Sequence, residues 1–249
     1  QPSLIVTVDN GIVAYGTVEA AEKQGVRVVV TDHHQPGTRL PRATAIVHTT
    51  QLSGAGVAWM MAKSLNPAAA GRSLDLVGLA TVADMVPLLG ANRSLVKFGL
   101  DKLRRTERPG LLALYSEAGI DPSSINPYLI NFVIAPRLNA TGRLNQDLDS
   151  LRMLSTRMRE RARVLAKSLG ETNRERQTLL ESQLNHAREL IKTQGVETEK
   201  ILIVHHESYH QGIIGLVAGK LTEEFYRPSI VMSVGESFIK ASARSIPGF

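Results

Sequence analysis

Two short stretches carry residue types suited to metal chemistry: Val8-Asp9-Asn10-Gly11 and, about two dozen residues later, Thr31-Asp32-His33-His34. Carboxylate oxygen and imidazole nitrogen together suit a hard or borderline divalent cation, and a bridging carboxylate can hold two. A third carboxylate, Asp84, follows the apolar stretch from Leu74 to Val82, within Ala83-Asp84-Met85-Val86-Pro87-Leu88. A lone Asp there is ordinarily a helix or turn cap. As the third carboxylate delivered by a buried element, it also extends a metal set. Farther along, Arg137, Asn139 and Arg143 are interleaved with small residues between Asn131 and Arg143, with no amphipathic period. That pattern predicts an anion-binding loop, since guanidinium forks match phosphate oxygens. Asp9, Asp32, His33, His34 and Asp84 with Arg137 and Arg143 therefore describe metal-dependent phosphoester hydrolysis. The ions would orient and activate water, and the arginines would neutralise developing charge.

The elements that must position these residues can be read from the intervening sequence. Leu4-Ile5-Val6-Thr7-Val8 and Val26-Arg27-Val28-Val29-Val30 are short, β-branched and uninterrupted, which predicts buried strands of a parallel sheet. The stretch from Thr17 to Gly25 predicts a crossover helix closed by a glycine. Asp9 and Asp32 then emerge at the carboxyl ends of neighbouring strands, where open α/β sheets place ligands. Ala43 to Val47 predicts a third strand, and Leu52-Ser53-Gly54-Ala55-Gly56-Val57-Ala58-Trp59 a glycine-flanked turn entering an apolar helix. Its small residues admit a phosphate or close helix–sheet packing. Packing is preferred, because no Lys-Ser/Thr pair follows as a P-loop requires. Asn92-Arg93 begins a helix carrying Lys97, Lys102, Arg104 and Arg105, a solvated face or a nucleic-acid stripe. From about Asp147 to Lys192, apolar residues at three- and four-residue steps predict one long helix or two in series, rich in arginine, linking two domains. Strands at Glu199–Val204, Ser229–Met232 and Phe238–Ala241, with a glycine-opened helix from Gly212 to Leu221, form a second, smaller α/β unit. Ser242-Ala243-Arg244-Ser245 follows it.

Composition narrows the chemistry. The chain has no cysteine, so disulfides and thiolate metal sites are excluded. No apolar run approaches membrane-spanning length and no signal peptide is visible, which makes the cytoplasm the default location. A formal charge of +6 suits a polyanionic partner, though an ordinary basic protein explains it equally well. The chain begins at Gln with a core strand within four residues and ends abruptly at Ser245-Ile246-Pro247-Gly248-Phe249. It reads as a fragment of something longer at both ends.

Jointly, these motifs resemble the DHH phosphoesterase family, and within it the RecJ group of single-strand exonucleases, over nearly the whole chain. Val8-Asp9-Asn10-Gly11 is similar to the family's second motif, Asp32-His33-His34 to its third and Asp84 to its fourth. The run from Arg137 to Arg143 resembles a RecJ loop. Tyr209-His210-Gln211-Gly212 and Ser242-Ala243-Arg244-Ser245 resemble the accessory DHHA1 domain. The resemblance implies an α/β chain: a parallel-sheet DHH domain over 1–145, connecting helices over 146–194 and a DHHA1 domain over 195–249. It implies that Asp9 bridges two manganese or magnesium ions, with His33 and Asp84 as further metal ligands. His34 would contact the scissile phosphate or support the site, and Asp32 would orient a histidine. Ser242 and Arg244 would grip the 5′ end of a strand, with Arg137, Asn139 and Arg143 nearer the phosphates. His210 would enter a helix or touch substrate. The implied activity is 5′-to-3′ hydrolysis of single-stranded DNA in repair and recombination by a monomer, with a helicase and a single-strand-binding protein as partners. Hydrolysis of short oligonucleotides or cyclic dinucleotides, and a non-catalytic replication scaffold, are the alternatives. The family's first motif, an acidic cluster supplying further ligands, is absent, so this stretch alone is expected to bind metal incompletely and to be weak or inactive. Tyr209 and Gln211 stand where Trp and Pro are usual, and Val47-His48-Thr49 replaces an Asn-Pro. Both departures are expected to alter packing rather than chemistry.

Overall fold

The computed structural model of the chain describes residues 2–144, 148–196 and 199–249. They form two units, residues 1–135 and 136–249. The expected boundary between residues 145 and 146, and Asp147, lie outside the described residues.

In the first unit, β1 (Leu4–Val8), β2 (Arg27–Asp32) and β3 (Ala45–His48) make a parallel sheet in that order. Helix α1 (Tyr15–Lys23) is the crossover, and the chain turns out of it through Gly25 at φ +76°. Val28 and Val30 point into the core against Val18 of α1. Glu22, near the end of α1, accepts the backbone N–H of Val28 at 3.1 Å and of Thr44 at 3.0 Å. One carboxylate thereby fixes the crossover against β2 and the approach to β3. Only β2 is the buried strand expected. β1 lies at the sheet edge, and Leu4, Ile5, Val6 and Val8 are exposed, because β2 is its only hydrogen-bonded neighbour among the described residues.

Helices complete the unit: α2 (Gly54–Leu65), α3 (Pro67–Gly71), α4 (Leu74–Ala83), α5 (Gly90–Arg104) and α6 (Pro109–Glu117). Helices α4 and α5 cross glycine to glycine; a Cβ on Gly78 would lie 2.7 Å from the Gly99 Cα. The buried Asp75 carboxylate pairs with Arg108 at 2.6 Å and ties the start of α4 to the start of α6. After a 3₁₀ turn, α7 (Pro127–Leu129) runs into a π-helical turn, Ile130–Ile134, and then α8 (Ala135–Arg143).

This last run corrects the anion-binding loop expected over 131–143, which is helical throughout. Its Ala, Leu and Arg residues are strong helix formers. Leu138, Ala140 and Thr141 are buried without forming the wide apolar stripe that sequence reading looks for.

The second unit contains α9 (Leu148–Ser155) and α10 (Arg159–Gln194), the two helices in series, with Gly195 ending α10 at φ +65°. Beyond them, β4 (Leu202–His206) pairs parallel with β5 (Ser229–Val234), which pairs antiparallel with β6 (Ile239–Arg244). Helix α11 (Ile214–Phe225) and the end of α10 cover one sheet face, packing Val217, Leu221, Ala187 and Ile191 on Leu202, Val204 and Val231. Ser242, Ala243 and Arg244 lie within β6 rather than after it. No helix among the described residues is long and apolar enough to cross a membrane.

Candidate active site

The parallel pairing of β1 with β2 sets Val8 opposite Thr31, so Asp9 and Asp32-His33-His34 leave the sheet at one edge. Asp9 extends the ladder by one bond, its N–H donating to the Thr31 carbonyl at 3.0 Å, and then turns at φ +59°. A non-glycine residue in the left-handed region is held there by its surroundings. The His33 ring lies between two carboxylates, with Nε2 3.0 Å from Asp9 Oδ1 and Nδ1 3.6 Å from Asp84 Oδ2. Asp84 is the C-cap residue of α4, so the cap and ligand readings of it converge. Met85 follows at φ +56°.

Asp32 is almost completely buried. Its Oδ2 accepts the Ile12 N–H at 2.9 Å; its Oδ1 takes the His33 N–H at 2.7 Å and the His34 Nδ1 at 2.7 Å. The His34 ring is thereby fixed at Nδ1, leaving Nε2 as the free nitrogen. Ligand atoms of Asp9, His33 and His34 lie within 4.8 Å of one another. The structure therefore brings His34 beside Asp9 and His33, while Asp84 approaches the cluster through His33.

Charges follow this geometry. Burial pushes the Asp32 carboxyl up, but the Ile12 N–H, the His34 ring and the two following N–H groups outweigh it and hold the group at about 2. The hydrogen bond to Asp32 raises His34 despite some desolvation, and the nearby carboxylates add to the rise. Asp84 is raised by burial, pulled back by His33 and raised again by the Asp9 charge. Two neighbouring carboxylates, one destabilised as an anion, make a set that a divalent cation fits. Oxygen and imidazole donors without sulfur suit manganese or magnesium better than softer ions.

A stability consequence follows for Asp32. Its folded-state value of about 2 against an ordinary 3.8 contributes about 2 kcal/mol, present in full above pH ~4 and lost as pH falls through 2. In urea titrations, Asp32→Asn is expected to flatten the loss of stability between pH 4 and 2 by about that amount relative to wild type. Parallel acid limbs in the two proteins would contradict it.

Three supporting positions escaped sequence reading. A Cβ on Gly54, the first residue of α2, would overlap the Asp9 carboxylate, so only glycine leaves that carboxylate in place. This is the close packing expected of the turn, with the site's own Asp as the partner. His48 Nε2 bonds the His34 carbonyl at 2.8 Å. Asn92 Nδ2 bridges the carbonyls of Gln51 at 2.7 Å and Pro87 at 2.9 Å, joining the loops after β3 and α4.

The second unit gathers a different cluster. Arg143 Nη1 donates to the Gly212 carbonyl at 3.2 Å, and a Cβ on Gly212 would overlap the Arg143 backbone. Arg244 Nη1 donates to Ser242 Oγ at 3.2 Å, and a Cβ on Gly215 would lie 3.0 Å from that oxygen. Arg143 is lowered by burial and then by the Arg244 charge; Arg176 is lowered by burial and then by Arg143. Three guanidinium groups thus share one region, and α10 contributes Arg176, indistinguishable in sequence from its other arginines. Asn139 is exposed and Arg137 partly buried on α8. His210 lies before α11, where its ring accepts the Gly212 N–H at 3.1 Å and its carbonyl the N–H of Ile213 at 2.9 Å.

The family model for the DHH family, N-terminal domain, matches residues 2–83. The single-stranded-DNA-specific exonuclease RecJ of Bacillus subtilis is 39% identical over 99% of this chain and 33% of its own length. The enzyme of the same name from Escherichia coli is 35% identical over 98% of this chain and 48% of its own length. The chain thus spans a third to a half of the curated relatives it matches. The crystal structure of RecJ from Thermus thermophilus with Mn2+ superimposes with a TM-score of 0.88 at 32% identity, over 99% of this chain and 38% of that one. A second exonuclease RecJ structure bound to manganese gives 0.85 at 32% identity, over 99% and 64%. The Thermus thermophilus protein has also been solved with Mg2+, with a TM-score of 0.76 at 30% identity, over 99% and 36%.

Proposed function

We propose that this chain, whose residues 2–83 match the model of the DHH family's N-terminal domain, carries the metal-binding and strand-gripping parts of a RecJ-type exonuclease. The reaction is 5′-to-3′ hydrolysis of phosphodiester bonds in single-stranded DNA. The observation that carries this reading is the His33 ring held between Asp9 and Asp84, beside a His34 fixed from behind by buried Asp32. Asp9, His33 and Asp84 would hold the manganese or magnesium. Bound divalent ions would supply Lewis acidity at the phosphodiester.

The chain's own residues divide the remaining work. Asp32 stays ionised and keeps the His34 ring in one orientation. Raised by its carboxylate neighbours, His34 retains its proton more readily and donates to a phosphate oxygen, so it faces substrate rather than metal. In the second unit, Arg143, Ser242 and Arg244 hold phosphate, and Arg137 and Asn139 follow the strand. The domain division 1–145, 146–194 and 195–249 belongs to the same reading. So do a cytoplasmic location, a monomeric state, and a helicase and a single-strand-binding protein as partners in repair and recombination.

The test is digestion of 5′-labelled single-stranded and duplex DNA by the intact protein with Mn2+, with and without chelator. Nucleotide release confined to the single strand and abolished by chelation is expected. Preference for dinucleotides over long strands, or metal-independent release, would overturn the assignment.

A further inference from the structure

We propose that Tyr128 and Phe132 form a stacking platform for the bases of a single-stranded nucleic acid. The proposal rests on the single-strand reading above and adds a base-contacting site that the metal and arginine clusters do not contain.

The two rings are 66% exposed each, yet they touch, with centroids 4.7 Å apart and planes tilted by 38°. The chain has only five Tyr, five Phe and one Trp, and Tyr115 and Tyr209 are buried. Among the described residues, this is the one contact between Tyr, Phe or Trp rings.

The local backbone explains why the rings stay outside. Asn126 caps the turn by accepting the Leu129 N–H at 3.0 Å, and Pro127 starts it. Tyr128 and Phe132 are four positions apart, so both stand on one side of the helical run. The other side is taken by Ile130 and Ile134, both fully buried, with Ile125 buried just before the turn. The Ala135 N–H reaches back to the Ile130 carbonyl, five residues away, which makes the turn π-helical. Such turns are uncommon and concentrate at functional sites. With the inner side filled by isoleucine, neither ring can fold inward, and each keeps a face open to solvent.

The surroundings favour a nucleic acid over a protein. Arg104 Nε donates to the Ile125 carbonyl at 3.0 Å, three residues before Tyr128. Lys102 and Arg105 are exposed on or beside the same end of α5. Ser123, Ser124 and Asn126, which precede the rings in sequence, are polar and exposed. Two exposed rings are far smaller than the roughly 1,000 Å² a stable protein interface buries. Aromatic faces beside cations suit a strand, since every base offers a π-face and every phosphate a charge. The basic end of α5, which sequence alone left between a solvated face and a nucleic-acid stripe, then lies beside a strand.

The test compares binding of this chain to an oligothymidylate and to an abasic phosphodiester chain of equal length. Wild type is expected to bind the base-bearing strand more tightly. Tyr128→Ala/Phe132→Ala should weaken that binding roughly tenfold per ring and leave the abasic chain unaffected, while Tyr128→Phe stays at wild-type affinity. Equal affinity of wild type and double variant for oligothymidylate would overturn the platform and leave the exonuclease reading standing. So would an equal loss on both strands, or an altered oligomeric state with unchanged DNA affinity. If wild type binds neither strand, both readings fall together.

Discussion

Asp9→Ala in the intact protein is expected to lower manganese-dependent hydrolysis of single-stranded DNA by roughly a thousandfold, corresponding to about 4 kcal/mol of transition-state stabilisation. Asp9 bonds His33 Nε2 at 3.0 Å, and its carboxylate lies close to the ligand atoms of both His33 and His34. Its removal leaves Asp84 as the single carboxylate of the set, at the C-terminal end of a helix, where the macrodipole already disfavours negative charge. Binding should fall with activity. Electron paramagnetic resonance of free Mn2+ titrated with this chain gives a readout independent of turnover. A variant that digests single strands at the wild-type rate would remove Asp9 from the metal set. The fold should survive, because the Asp9 side chain is more than half exposed.

The sequence revealed those parts of the site that depend on strand ends. β-branched runs ending in Asp9 and in Asp32-His33-His34 mark parallel strands by their own composition, and parallel pairing then forces the acids together. That Asp32 would orient a histidine came from the family resemblance; the structure identifies the bonded histidine as His34, whose Nδ1 a buried Asp two residues earlier reaches by local geometry. The run from Arg137 to Arg143 was not. Its helix is held by burial of Leu138, Ala140 and Thr141, a tertiary effect that overrides a weak local pattern. The exposed face of β1 was hidden for a related reason, since an edge strand and a central strand share one alphabet. Arg176 is one of many arginines on α10, and only the approach of Arg143 singles it out. Tyr128 and Phe132 lie in a segment whose π turn has no sequence signature. Long-range proximity, rather than propensity, separates what was legible from what was not.

Gly54→Ala sets local propensity against long-range proximity. Judged by helix propensity, alanine for glycine in α2 should stabilise the chain by up to about 1 kcal/mol. Judged by the site, the added Cβ falls on the Asp9 carboxylate and within 2.6 Å of the Asp9 Cβ. Asp9 has little freedom to yield, because its N–H is committed to Thr31 and its backbone is in the left-handed region. The carboxylate must therefore swing away from His33. The expected result is a fall in Mn2+ affinity of tenfold or more, with urea-unfolding stability within about 1 kcal/mol of wild type. Gly16→Ala supplies the control, since a Cβ there meets nothing within 4 Å on α1. It should leave metal affinity unchanged. If Gly54→Ala binds Mn2+ as tightly as Gly16→Ala does, the carboxylate beneath Gly54 is not where the ion binds. The site would then have to be built on Asp84 and the two histidines without Asp9.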